Sequence, residues 1–262
     1  MENNKVKFYE FKNKTNDSVD LYVYGDIVSG SLKWDDTDVT ISDFREQLNS
    51  LDNAKTLNMY VSSCGGDVFT TQAMVSNLKR CKDNGVTINA YLDGISASCA
   101  SWLSLVANNV YAYQNSILMI HKPMTSCCCC NADDMKKQID TLDTIEDNVI
   151  IPIYMDKAKD TLTEDKLKDM LSQETWLGSE DMVNYFDITL LDGEKTISNN
   201  VNMDLVNKYK NAPKDILNKL SKQIGEETPP ITKEQNIEDK IGDSIDNIDI
   251  ELLNIQLDLL KK

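Results

Sequence analysis

Residues 87–107 read TINAYLDGISASCASWLSLVA, and the fold follows from the way this stretch changes character part-way along. Thr87 to Leu92 alternates as a half-buried strand does, Asp93-Gly94 is a turn signal, and Ala97 to Ala107 carries small and apolar residues at helical spacing. A strand, a turn and a helix put Ser98 at a helix N-terminus, where free amides favour developing negative charge. Gly94, Ala97 and Ala100 leave room for a sharp bend and a close approach of substrate, the logic of a nucleophile elbow without its GxSxG sequence. Taken alone, the segment reads more simply as an ordinary helix-capping serine, since such caps are common.

Two further segments change that balance. Residues 56–81, TLNMYVSSCGGDVFTTQAMVSNLKRC, read as a buried strand over Leu57 to Val61, a Gly65-Gly66 turn and a helix with one apolar face. Adjacent glycines permit positive φ and expose backbone N–H groups, which can supply half of an oxyanion hole. The other half would be the N–H after the nucleophile, Cys99. Residues 116–124, SILMIHKPM, hold His121, the single histidine of the chain, and a hydroxyl nucleophile needs such a base.

Over roughly Leu21 to Asp192 these residues resemble the proteolytic subunits of the Clp protease family, most closely the Clp-like serine proteases of phage head maturation. The family motif NSPGGDVF is matched by SSCGGDVF at Ser62 to Phe69. The motif GxAAS is matched by Gly94-Ile95-Ser96-Ala97-Ser98, and MIHNP or MIHQP by Met119-Ile120-His121-Lys122-Pro123. The resemblance implies Ser98 as nucleophile rather than Ser96 or Ser101, His121 as base, and the amides of Gly66 and Cys99 as oxyanion donors. It implies substrate contacts at Gly65, Asp67, Val68, Met124 and Thr125. A run like ETWLTAEEA in the phage-type members corresponds to residues 174–181, ETWLGSED, which makes Glu174 the acid; Asp169 and Asp181 are the alternatives. Cys64, Ser96 and Cys99 depart from the family pattern without removing a catalytic atom.

The implied fold is α/β: a Clp- and crotonase-like superhelix of repeated β-turn-α units with a handle helix after Ala132 and a C-terminal helical tail. Other elements fit it. Asp20 to Ile27, Val110 to Ala112 and Ile117 to Ile120 are strand-like, Ile41 to Leu51 is helical, and Ala132 to Lys159 is a long helical stretch broken near Pro152. Thr163 to Leu171 opens with Glu164 and Asp165, which suits a helix N-terminus. The expected organisation is an N-terminal segment over 1–19, a protease domain over 20–193, a linker with short helices over 194–235, and an amphipathic helix over 236–262. In that last segment Ile241, Ile245, Ile248, Leu252, Ile255 and Leu259 form a short heptad-like seam.

Composition bounds the partners. With 43 acidic against 27 basic residues the net charge is −16, which disfavours binding to nucleic acid phosphates. No apolar run is long enough to span a bilayer, and residues 1–15 lack a signal-peptide core, so a cytoplasmic setting, that of a bacterium or of a phage host, is expected. Seven cysteines include the contiguous Cys127 to Cys130, which lack the ligand spacing of a zinc site; in a reducing compartment they also argue against a disulfide. No metal and no cofactor are expected. There is no GxxxxGK[ST] phosphate loop, so any ATP-driven unfoldase would be a separate chain. The resemblance implies a homo-oligomer of face-stacked rings acting on polypeptide, with capsid or scaffold segments as substrate. A catalytically inactive Clp-like assembly protein and a crotonase-like acyl-CoA enzyme are the competing readings.

Overall fold

The computed structural model describes residues 8–15, 17–29, 40–49, 54–193, 206 and 209–214. The expected helix over 236–262 lies outside the described residues, as does the expected linker over 194–235 except for residues 206 and 209–214.

The centre of the fold is a parallel sheet. Strands β2 (Ser18–Tyr24), β3 (Thr56–Ser63), β4 (Thr87–Ala97) and β5 (Asn109–Tyr113) lie side by side, with β8 (Thr189–Leu191) beyond β5 and the antiparallel β1 (Tyr9–Lys12) at the other edge. Alternation explains the pairing register. Val19, Leu21 and Val23, then Leu57, Met59 and Val61, then Ile88, Ala90 and Leu92 all fall on one face and are buried. Helices α2 (Val68–Asp83) and α3 (Cys99–Leu105) cover that face with Met74, Val75, Leu78, Trp102 and Leu103, part of the same apolar cluster. Each fully buried Leu or Ile side chain contributes about 1.5–3 kcal/mol. On the opposite face Tyr22, Tyr60, Tyr91 and Tyr111 stack across four strands, with ring centroids 4.8, 5.0 and 5.0 Å apart.

The sequence reading ends the strand at the Asp93-Gly94 turn; the structure carries β4 straight through to Ala97. The dipeptide bends the strand instead of reversing it. Gly94 takes φ 128, and the Tyr24 hydroxyl donates to Asp93 Oδ2 at 2.7 Å, which holds the carboxylate in a nearly buried position. Upstream of the bend β4 pairs with β5, and downstream it pairs with β6 (Ile117–Ile120). One long strand therefore serves two neighbours, and its far end delivers Ser98.

The handle lies where it is expected. Helix α4 (Ala132–Ile145) starts on a capping box between Asn131 and Asp134 and buries none of its residues; Met135 and Ile139 are exposed. The break falls just before Pro152, as a π-helical turn over Glu146–Ile150 that leads into α5 (Ile151–Asp156). Proline has no N–H for the carbonyl four residues back and its ring crowds that carbonyl, so a widened turn there relieves both problems. Helix α6 (Glu164–Gln173) starts at the Thr163 cap, as its acidic first turn predicts. It is followed by β7 (Thr175–Leu177) and α7 (Ser179–Tyr185). Among the described residues no helix is long and apolar enough to cross a membrane.

Candidate active site

Strand pairing assembles the site. Ala97 of β4 stands opposite Met119 of β6, so the next residue of β4 and the second residue after Met119 emerge together at the sheet end. These are Ser98 and His121, and His121 Nε2 lies 2.7 Å from Ser98 Oγ. On the other side of β6 the antiparallel β7 pairs Ile120 with Thr175, and one further step of that register brings Glu174 beside His121.

Ser98 is not a capping serine. It occupies the N-cap position of α3 with φ 55 and ψ −131, and its side chain makes no capping hydrogen bond. A non-glycine residue at positive φ is strained, and here the strain turns the hydroxyl toward the imidazole. The neighbouring hydroxyls are engaged elsewhere. Ser96 is fully buried and bonds to the Ala100 carbonyl and the Ser104 hydroxyl, while Ser101 bonds to the Ser98 carbonyl and the Tyr154 hydroxyl.

Gly65 and Gly66 pass against this turn at positive φ, 90 and 145. A Cβ on Gly65 would lie 2.7 Å from Ser98 Cβ and 2.8 Å from the Ala97 carbonyl, and one on Gly66 would overlap the Ile27 carbonyl. The backbone is held there by Ile27 N–H donating to Gly65 O at 2.8 Å and Asp67 N–H donating to Ile27 O at 2.7 Å. The Gly66 amide faces the Cys99 thiol, a weak acceptor. Burial, only partly offset by hydrogen bonds from Thr71 and from the Gly66 amide, pushes the Cys99 thiol up to about 12. Cys99 is thus a neutral thiol and no rival nucleophile.

A cleft of about 90 Å³ opens beside the pair, lined by Val68, Cys99, Pro123, Met124, Ile150 and Tyr209 among others. Of the residues expected to touch substrate, Gly65 borders Ser98, and Val68 and Met124 line this cleft, as does Gly66, one of the expected oxyanion donors. Asp67 does not: its carboxylate caps α2 by accepting from the Thr70 N–H at 2.7 Å. Thr125 is exposed and lies outside the cleft lining.

Burial pulls the His121 pKa below its ordinary value, and the nearby Glu174 charge opposes that shift. The imidazole therefore stands neutral at neutral pH, as a base must. Glu174 ends α6 in the left-handed conformation, φ 53. Its carboxylate accepts from the backbone N–H of Lys210 at 3.1 Å and of Asn211 at 2.8 Å. Tyr209 packs edge-on to the His121 ring at 5.3 Å and to Trp176 at 5.9 Å, and its hydroxyl donates to the Cys64 carbonyl at 2.6 Å.

Within the span 194–235, expected as a linker with short helices, Val206 and Tyr209 are buried in one cluster with Cys64, Ile95, Ala97 and Met119. Only the aromatic and β-branched residues in an otherwise polar stretch could have signalled this. The sequence also argues against a disulfide among Cys127 to Cys130, whereas the structure bonds Cys127 to Cys130, with Cα atoms 5.8 Å apart. Side chains three apart diverge in a strand but meet in a turn, and Cys129 at φ 58 makes the turn. Among the described residues no cluster of three or more His, Cys, Asp or Glu is placed to hold a metal.

No curated protein matches the chain. The family model described as Clp protease matches residues 27–186, more than half of the sequence and every element that carries Ser98, His121 and Glu174. On that match and the α/β architecture around it, this chain belongs to the Clp protease family.

Proposed function

We propose that the chain is an active serine endopeptidase in which Ser98, His121 and Glu174 form the catalytic triad. The observation that carries this reading is the 2.7 Å contact between His121 Nε2 and Ser98 Oγ. With the ring proton on Nδ1, Nε2 accepts the hydroxyl proton while Oγ attacks the peptide carbonyl carbon. The carbonyl oxygen becomes an oxyanion, received by the amides of Gly66 and Cys99. His121 then hands the proton to the leaving amine as the C–N bond breaks, and the same imidazole activates the water that hydrolyses the acyl-enzyme. A crotonase-like enzyme needs no such pair, and an inactive shell protein has no need to keep it.

Clp proteases act on polypeptides and generally form oligomeric rings, and the exposed handle α4 suits ring-to-ring contact. The substrate would bind as an added strand along Gly66 and the segment after His121, which requires extended or unfolded chain. The biological setting we infer is capsid maturation in the cytoplasm of a phage-infected or lysogenic bacterium, with capsid or scaffold segments as targets and any ATPase as a separate partner. The support for that setting is the phage-type run at residues 174–181.

A fluorophosphonate probe followed by peptide mapping tests the chemistry. The expected result is one adduct on Ser98, absent from Ser98→Ala and His121→Ala, with both variants inert toward unfolded peptide. Equal turnover by wild type and Ser98→Ala overturns the reading. Purified prohead components, offered as substrate, test the setting.

A further inference from the structure

The family match ends at residue 186, yet a later stretch of chain reaches the catalytic pair. We propose that residues 209–211 are positioning residues of the peptidase: their backbone amides clamp the Glu174 carboxylate and the Tyr209 ring bears on the imidazole, so acid and base are held in line from outside the family domain. This rests on the triad assignment above.

A glutamate in the acid position has one more methylene than an aspartate, and so has more rotamer freedom to lose when it is fixed. Something must hold it. The two N–H donors fall on different oxygens, Lys210 on Oε2 at 3.1 Å and Asn211 on Oε1 at 2.8 Å, which fixes the plane of the carboxylate. Each oxygen keeps a lone pair, so the acid can still receive the imidazole N–H.

The clamp is anchored on both sides of the site. Tyr209 is 6% exposed, and its hydroxyl bonds to the carbonyl of Cys64, the residue before the glycine pair. Val206 is fully buried against Ile95, Ala97 and Met119, at the strand ends that carry Ser98 and His121. The Asn211 side-chain amide donates to the Gln173 carbonyl at 2.7 Å, tying the same segment to the end of α6.

Asn211→Pro deletes the 2.8 Å donor, whereas Asn211→Ala keeps it and loses only the bond to Gln173. On a short unfolded peptide, Asn211→Pro should lower kcat by about 10-fold or more with little change in KM, and Asn211→Ala should retain several-fold more kcat than the proline variant. In a Glu174→Gln background Asn211→Pro should add little, because it acts through the carboxylate. His121 is the only histidine, so one imidazole resonance reads its titration. The charge acting on that ring is Glu174; Lys122, the next residue, is paired with Glu146 at 2.9 Å, and Tyr209 is held neutral by burial. Loosening Glu174 should therefore lower the His121 pKa further in Asn211→Pro than in Asn211→Ala. If Asn211→Pro does not fold, Lys210→Pro removes the other donor and carries the same comparison.

Equal kcat in the proline and alanine variants overturns the clamp. So does an equal loss in both Glu174 backgrounds, or a rise in kcat, which would make the segment an inhibitor. A wild type that neither cleaves peptide nor labels at Ser98 overturns the peptidase reading itself, and the clamp with it.

Discussion

The Ser98 amide donates to the Met119 carbonyl at 2.9 Å, continuing by one step the register that sets Ala97 opposite Met119. Met119 lies two residues before His121, so a single backbone hydrogen bond sets the distance between Ser98 and His121, the proposed nucleophile and base. The pair is placed by strand ends rather than by a flexible loop, which limits what it loses in ordering entropy before the reaction.

The same turn is intolerant of side chains at the glycine pair. Gly65→Ala forces a Cβ to within 2.7 Å of Ser98 Cβ at φ +90, so either the serine or the glycine strand must move. A shift of one ångström near a reacting atom can cost about 100-fold in rate. Gly65→Ala should lose at least about that much in kcat while costing roughly 1–3 kcal/mol of stability, read by peptide kinetics and urea denaturation. A Gly65→Ala enzyme with wild-type kcat would show that the close approach is not needed.

The direction of the His121 shift fixes the pH profile. Burial lowers its pKa, so the imidazole stays neutral, and able to accept a proton, to a lower pH than the ordinary value of about 6.5 allows. The acid limb of kcat/KM should have its midpoint below that value, and Glu174→Gln should move it lower still by removing the charge that opposes the shift. Its kcat loss should be smaller than that of Ser98→Ala or His121→Ala. In the subtilisin series, loss of the acid costs on the order of 10⁴ and loss of serine or base about 10⁶. A limb at or above 6.5, or one that rises in Glu174→Gln, would contradict this electrostatic reading.

What was legible in the sequence followed strict periodicity and fixed spacing. The strands from Asp20, Leu57, Thr87 and Val110 alternate one buried face, Ile117 to Ile120 is a short apolar run buried throughout, and GGDV, GISAS and MIHKP each mark a strand end, so Ser98 and His121 can be paired from the sequence. The reading failed where a local signal was overruled by long-range pairing. Asp93-Gly94 has turn chemistry, but β6 waits on the far side of it and keeps the strand running. Short edge elements such as β1, β7 and β8 carry too few residues to show a period. Tyr209 is not legible for another reason: its burial depends on a cluster of side chains at several strand ends that no window of neighbouring residues describes.

The cysteines should separate by accessibility. Cys128 and Cys129 are exposed free thiols, Cys64 and Cys99 are buried, and burial raises the pKa of the half-buried Cys81. Brief alkylation of the native protein should mark Cys128 and Cys129 first, with Cys127 and Cys130 appearing only after reductant. Cys99 should react only on unfolding. Peptide mapping by mass spectrometry reads all seven sites, and early labelling of Cys99 would mean that the turn at Ser98 is far looser than its packing indicates.

The residue after His121 is tied to the turn that follows α4. Lys122 Nζ lies 2.9 Å from the carboxylate of Glu146, which sits in the π-helical turn with its side chain only 7% exposed, while the lysine side chain is 47% exposed. Lys122→Met leaves a nearly buried carboxylate without its cation, and because the lysine end is half in water the cost should be about 1–3 kcal/mol rather than the full penalty of a buried pair. Glu146→Leu alone strands a cation that water can solvate, and should cost less. Replacing both with apolar residues should recover most of the Lys122→Met loss, since burying neither charge removes the desolvation cost as well as the attraction. Urea midpoints of the four proteins, taken with unchanged slopes, give the coupling. If Lys122→Met is no less stable than wild type, the ion pair is ornamental, and what fixes this residue is its backbone amide, which donates to the Leu171 carbonyl of α6 at 3.2 Å.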